Sequence, residues 1–260
     1  MLINLVGVVG IYFLKICNDI LTFILFLLKS IKVFFSKRLK IKQIIIQIQQ
    51  VGVESFTIVF LTGFSSGFAL ALQSFMGLNK FGGEELIGLV VALGMTRELA
   101  PVLTGIMVTG RAGSAMAAEI GTMKITEQID ALKTLCIDPH QYLIIPRVIA
   151  TTVALPLLTS ISMLCGIVGG YIYSTFIVEL NPEIYLSTIE MHLDIWDIIG
   201  GMIKASVFGL ILSLISTYMG FHTKGGAQGV GAATTKSVVV GSILILIANY
   251  FLSLLLFQST

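Results

Sequence analysis

Charge is what this sequence has least of. Asp, Glu, Lys and Arg make up 12% of the 260 residues, against 56% apolar residues and a mean hydropathy of +0.98. A soluble domain carries about 25% charged residues, so a water-exposed globule is excluded and a multi-span membrane protein is expected. Cysteine is equally scarce: Cys17, Cys136 and Cys165 form no CxxC pair, which argues against a disulfide framework. The histidines, His140, His192 and His222, lie far apart and suggest no metal site. No nucleophile elbow, HExxH run or paired carboxylates in a polar domain appear, so catalysis is not expected of this chain. Residues 222–236, HTKGGAQGVGAATTK, have the glycines of an anion-binding loop. Ala232 follows Gly231 where a Walker A loop needs Lys, and no strand pattern leads in, so the stretch reads as a basic loop before a membrane helix.

What is present is concentrated in residues 97–133. Residues 101–120 are small or apolar and supply about the twenty positions that cross a bilayer core. Arg97 and Glu98 stand at the mouth of that span, Arg111 near its middle and Glu119 at its end. A guanidinium at that depth costs about 2.5–3.5 kcal/mol on insertion scales, so Arg111 must face protein or water. Tying helices together and lining a polar cavity are both open to it. Gly110, Gly113, Ser114, Ala115, Ala117 and Ala118 let another helix or a second copy approach closely.

The pattern predicts an all-α membrane protein with five transmembrane helices preceded by an N-terminal interfacial amphipathic helix. Residues 1–42 are apolar but interrupted by Lys15, Asn18 and Asp19, and carry Lys29, Lys32, Lys37, Arg38, Lys40 and Lys42. They offer no clean span and no A-x-A cleavage site, so an in-plane anchor over 1–45 is expected, with a first true span as the alternative. The permease-like body then covers 46–260. Spans are expected at 55–78, 101–120, 148–178, 198–221 and 237–257. Gly63 and Gly67 in the first form a small-xxx-small pattern. Residues 86–96 are too short to cross; they read as an oblique helix on the outer side, or as part of one long helix kinked at Pro101. Within 122–137, Ile125, Ile129, Leu132 and Cys136 recur at helical spacing, with Glu127, Asp130 and Lys133 opposite, which predicts a surface helix of about three turns. Residues 179–197 are acidic without a basic partner before Lys204, and read as a solvated outer helix; Lys204 would snorkel to the outer end of its span. Basic residues before position 55, in 121–147 and in 222–236 place those segments in the cytoplasm.

These residues carry a resemblance. Arg97-Glu98-Leu-Ala-Pro101, Gly110-Arg111-Ala-Gly113, Ala118-Glu119-Ile-Gly121-Thr122-Met123 and Glu127-Gln128-Ile-Asp130-Ala131-Leu132 resemble the MlaE family, the permeases of ABC lipid transporters that work with Mce-domain proteins. Asp138-Pro139, Tyr142-Leu143, Pro146-Arg147, Gly229-Val-Gly231 and Thr234-Thr235 continue it across roughly 50–257, while Ala100 stands where the family pattern has Gly. The resemblance implies a homodimer whose cavity holds a glycerophospholipid, with Arg97 and Glu98 at its outer end; Arg111 and Glu119, charges within an apolar run, are further lipid-cavity candidates. It implies a cytoplasmic ABC ATPase seated on the helix holding Glu127, Gln128, Asp130 and Leu132, and an Mce-domain lipid-binding protein outside. ATP would be used by the partner; no cofactor, metal or nucleic acid is expected on this chain. The membrane would be a bacterial inner membrane or, alternatively, a plastid inner envelope. An ion-coupled secondary transporter with an Arg111–Glu119 relay, and a non-transporting scaffold, are the competing classes.

Overall fold

The computed structural model describes residues 2–36 and 40–257, with side chains from Cys17 onward. Lys37 and Arg38 of the basic cluster lie outside the described residues, as does the side chain of Lys15. The described chain is helical and contains no strand. Five helical segments are long and apolar enough to cross a membrane: Ile41–Phe81, Glu84–Ile125, His140–Phe176, Ile195–Phe221 and Gly226–Phe257. This is an all-α, multi-pass membrane protein.

The N-terminal helix α1 (Leu2–Ser36) precedes these segments. At about 100° per residue, its described part sorts into three arcs. Phe26, Ser30 and Val33 are buried. Asn18, Lys29, Lys32 and Ser36 form an exposed polar edge interrupted by Leu25, and Leu21, Ile24, Leu28, Ile31 and Phe35 an exposed apolar one; Asp19 is exposed on the side of the buried residues.

Helix α2 (Ile41–Gly52) runs through a 3-10 turn, Val53–Ser55, into α3 (Phe56–Leu78). The next segment is one rod, not a short oblique helix followed by a span. It consists of α4 (Ile87–Leu93), a π-turn at Gly94–Leu99, α5 (Ala100–Val108), a second π-turn at Thr109–Gly113, and α6 (Ser114–Ile125). Pro101 has no N–H for the carbonyl four residues back, and the first π-turn absorbs the mismatch.

The expected three-turn surface helix is interrupted. Glu127 adopts a left-handed φ of 60°, which separates α6 from the seven-residue α7 (Gln128–Thr134). Ile129 is fully buried and Leu132 half-buried, as their spacing predicts, while Cys136, beyond the end of α7 and at a left-handed φ of 57°, is exposed. A π-turn at His140–Ile144 then opens α8 (Ile145–Phe176), which is followed by α9 (Pro182–His192), α10 (Ile195–Phe221) and α11 (Gly226–Phe257). Helix α11 begins eleven residues before the expected span and takes in most of the glycine-rich stretch. Gly225 and Gly226, at φ 91° and 65°, make the turn.

Helix α8 is the hub, packed against α2, α3 and α10. The Gly63 and Gly67 pattern lies on it: a Cβ at Gly63 would meet Ser162 at 2.7–2.9 Å, and one at Gly67 would overlap the Gly166 carbonyl oxygen. Several buried hydroxyls return to their own helices, as Thr109 to Gly105, Thr151 to Arg147 and Ser213 to Gly209, while those of Thr104, Thr159, Ser162 and Ser174 have no partner.

Gly67→Ala drives its methyl into backbone that cannot yield locally, so α3 and α8 must separate, a loss of about 1–3 kcal/mol. Thermal unfolding in detergent should fall by several degrees, whereas Gly77→Ala, where a Cβ meets nothing within 4 Å, should leave the midpoint in place. Equal midpoints for the two variants would contradict the close approach.

Candidate functional site

The proline that breaks the α4–α6 rod also creates its principal polar site. With no N–H on Pro101, the Arg97 carbonyl is freed, and Lys204 from α10 donates to it at 2.7 Å. The same ammonium donates to Glu98 Oε1 at 2.9 Å and to Ser253 Oγ at 2.7 Å, using all three of its protons. Lys204 is fully buried, so the expectation that it snorkels outward is corrected. It reaches inward because the freed carbonyl and the Glu98 carboxylate lie beside it.

Glu98 is held further by Asn249 Nδ2 at 2.9 Å and by Ser253 Oγ at 2.8 Å. Arg97 Nε donates to Asp197 at 2.7 Å. Asp197 was expected in a solvated acidic stretch, yet it is 2% exposed: it closes a capping box with Asp194 at the start of α10, which turns its other oxygen toward Arg97. The Phe257 ring lies 5.1 Å from the Arg97 guanidinium and 4.9 Å from the Lys204 ammonium. Glu98 keeps 43% of its side chain exposed, and α11 beside it is scarcely buried.

Arg111 and Glu119 do not join this cluster. They lie toward the other end of the rod, fourteen residues or more beyond Arg97, about 21 Å at 1.5 Å per residue. Arg111, from the second π-turn, bonds the Glu54 carboxylate, the Gln50 carbonyl at 2.9 Å and Ser55 Oγ at 3.0 Å. Glu119 pairs at 2.8 Å with Arg147, which is buried and also donates to the Leu143 carbonyl at 2.7 Å. Arg111 and Glu119 therefore belong to two separate ion pairs, an arrangement unlike a proton relay. Asp197, Lys204, Glu54 and Arg147 complete these sites; Glu54 and Lys204 stand in the sequence as single charges beside apolar runs, whereas Asp197 is one of several acidic residues.

Of the four helix residues expected to couple to a partner, Glu127 and Gln128 are exposed. Leu132 turns inward with Ile129 onto Ile120, Met123 and Leu143. Asp130 accepts from Lys133 at 2.7 Å and Lys124 at 3.0 Å, and these two bonds hold its carboxyl below the usual carboxylate range. Leu135, at 69% exposure, is the apolar side chain that this end presents outward.

The family model described as Permease MlaE matches residues 44–255. A probable ABC transporter permease protein of Rickettsia typhi is 44% identical over 258 residues, covering 99% of this chain and all of that protein. The chloroplastic protein TRIGALACTOSYLDIACYLGLYCEROL 1 of Arabidopsis thaliana is 42% identical over 212 residues, 82% of this chain and 61% of its own. The intermembrane phospholipid transport system permease protein MlaE of Haemophilus influenzae is 34% identical over 212 residues, 81% of each chain.

Lys204→Met strands the Arg97 carbonyl and leaves the Glu98 carboxylate only the neutral donors Asn249 and Ser253; it should cost on the order of 3 kcal/mol, the lower end for a broken buried pair because Glu98 is half-exposed. Adding Glu98→Gln should recover part of that loss. A double-mutant cycle of unfolding midpoints in detergent measures the coupling, and strictly additive effects would count against the bond.

Proposed function

The chain belongs to the MlaE permease family, and from that membership we propose that it is the membrane subunit of an ATP-driven phospholipid transporter, working as a homodimer around a lipid-binding chamber. The observation that carries this reading is Glu98. A half-exposed carboxylate on the flank of a membrane-spanning rod, beside the bare face of α11, is too costly to leave in hydrocarbon. A second copy of the chain facing that flank would enclose it in a wet cavity. Arg97 would offer a phosphate headgroup a fork of donors, and the apolar walls of α3 and α11 would take the acyl chains.

ATP would be hydrolysed by a separate cytoplasmic ABC ATPase seated on α7, with this chain itself non-catalytic and without a cofactor. An Mce-domain lipid-binding protein would sit at the outer end, near Arg97 and Glu98. Helix α1 would lie in the membrane plane: its polar edge suits anionic headgroups and its exposed apolar arc the acyl boundary. Residues 1–45 would form this anchor and 46–260 the permease body, in a bacterial inner membrane or a plastid inner envelope.

Gln128→Lys with Leu135→Glu alters the outward face of α7 without touching the Asp130 pairs or the buried Ile129. Co-purification with the ATPase should drop at least tenfold while the unfolding midpoint of the permease holds. Undiminished ATPase capture would refute docking on this helix.

A further inference from the structure

Two small cavities open at the end of the bundle opposite the Arg97–Lys204 cluster, and they share a wall. One, about 130 Å³, is lined by Gln47, Gln50, Glu54, Arg111 and Glu119 among others. The other, about 200 Å³, is lined by Gln43, Gln47, Glu119, Tyr142 and Arg147 among others. An engineered cavity of about 150 Å³ holds a molecule the size of benzene, so each has room for part of a lipid headgroup. Gln43, Gln47 and Gln50 recur at helical spacing and line them from an α2 otherwise rich in isoleucine.

The charges around these cavities balance: Arg111 is matched by Glu54 and Arg147 by Glu119. Neither pair is saturated. Arg147 is 4% exposed, and its Nε is buried with no hydrogen-bond partner, a costly omission unless something else accepts from it. Glu54 and Glu119 remain more than half exposed, and each is bonded to its arginine through one oxygen, leaving capacity to accept more. A simple anion entering here would bury a net negative charge. A zwitterion would exchange ion pairs one for one and bury none. Phe56 and Phe60 lie stacked and exposed on the membrane side of Glu54, placed for an acyl chain.

We infer that these adjoining cavities form a second headgroup station, at the inner edge of the membrane, for a zwitterionic glycerophospholipid carrying a phosphate and a primary ammonium. The arginines take the phosphate, and Glu54 and Glu119 take the ammonium. A quaternary ammonium has no N–H to give them. A glycerol headgroup leaves the phosphate's charge unbalanced. The ethanolamine class is therefore preferred. The two stations lie near opposite faces of a hydrocarbon core about 30 Å thick, one for each leaflet. The inference rests on the phospholipid-transport reading and adds to it a place and a headgroup preference.

The test is native mass spectrometry of the full-length protein in detergent, with dioleoyl lipids bearing ethanolamine, choline or glycerol headgroups supplied in equal amounts. Wild type should retain the ethanolamine lipid about tenfold over each of the others, the ratio from one charge-assisted hydrogen bond. Glu54→Gln with Glu119→Gln should bring that ratio close to one while lipid is still retained at the outer cluster. Arg111→Lys, which keeps the charge but loses the fork, should lower ethanolamine-lipid retention and serves if the first variant fails to fold. Lipid retained with its headgroup ratio unchanged in the variants overturns the inner station and leaves the transport reading standing. No lipid retained by wild type overturns both. Free phosphoethanolamine displacing the lipid at equal concentration would make the cavities a site for a soluble ligand, and would also overturn the inference.

Discussion

One carbonyl organises the outer half of this protein. Pro101 cannot bond the Arg97 oxygen, and at membrane depth an unpaired carbonyl costs several kcal/mol. The Lys204 ammonium supplies the missing donor. A fully buried cation then needs a carboxylate, which Glu98 provides, and Glu98 in turn draws Asn249 and Ser253 from α11. Three of the spanning segments are thereby joined at one point by bonds that follow from a single missing N–H.

The same logic accounts for where the helices depart from regular geometry. π-turns in helices recur at functional sites because they re-aim side chains without ending the rod. Here the turn at Gly94–Leu99 carries Arg97 and Glu98, that at Thr109–Gly113 carries Arg111, and that at His140–Ile144 carries Tyr142 on the wall of the inner cavity. Between these polar ends the bundle is held by close backbone approach, as at Gly67 on Gly166, because lipid tails are as apolar as the helices and supply no hydrophobic drive between them. A rigid middle with polar ends is the arrangement that the proposed chamber requires.

Much of the site was legible residue by residue but not as a site. Arg97, Glu98, Arg111 and Glu119 stand out because charges are rare in apolar runs. Their partners did not, since Asp197 sits in an acidic stretch that reads as solvated and Lys204 near a helix end that reads as snorkelling. Cys136 leaves the apolar face that its spacing assigns it because α7 ends at Thr134 and Cys136 is itself left-handed, at a φ of 57°. No hydrophobic period reveals such a break.

Class, span count and the special status of residues 97–133 follow from composition and from the length of uncharged runs, since a bilayer imposes those limits on any chain whatever its neighbours. The grouping of charges into two separate clusters, the burial of Lys204 and Asp197, and the early start of α11 were decided only by packing. Each depends on which helices meet and at what depth, and residues a hundred positions apart acquire a common environment only when the bundle closes.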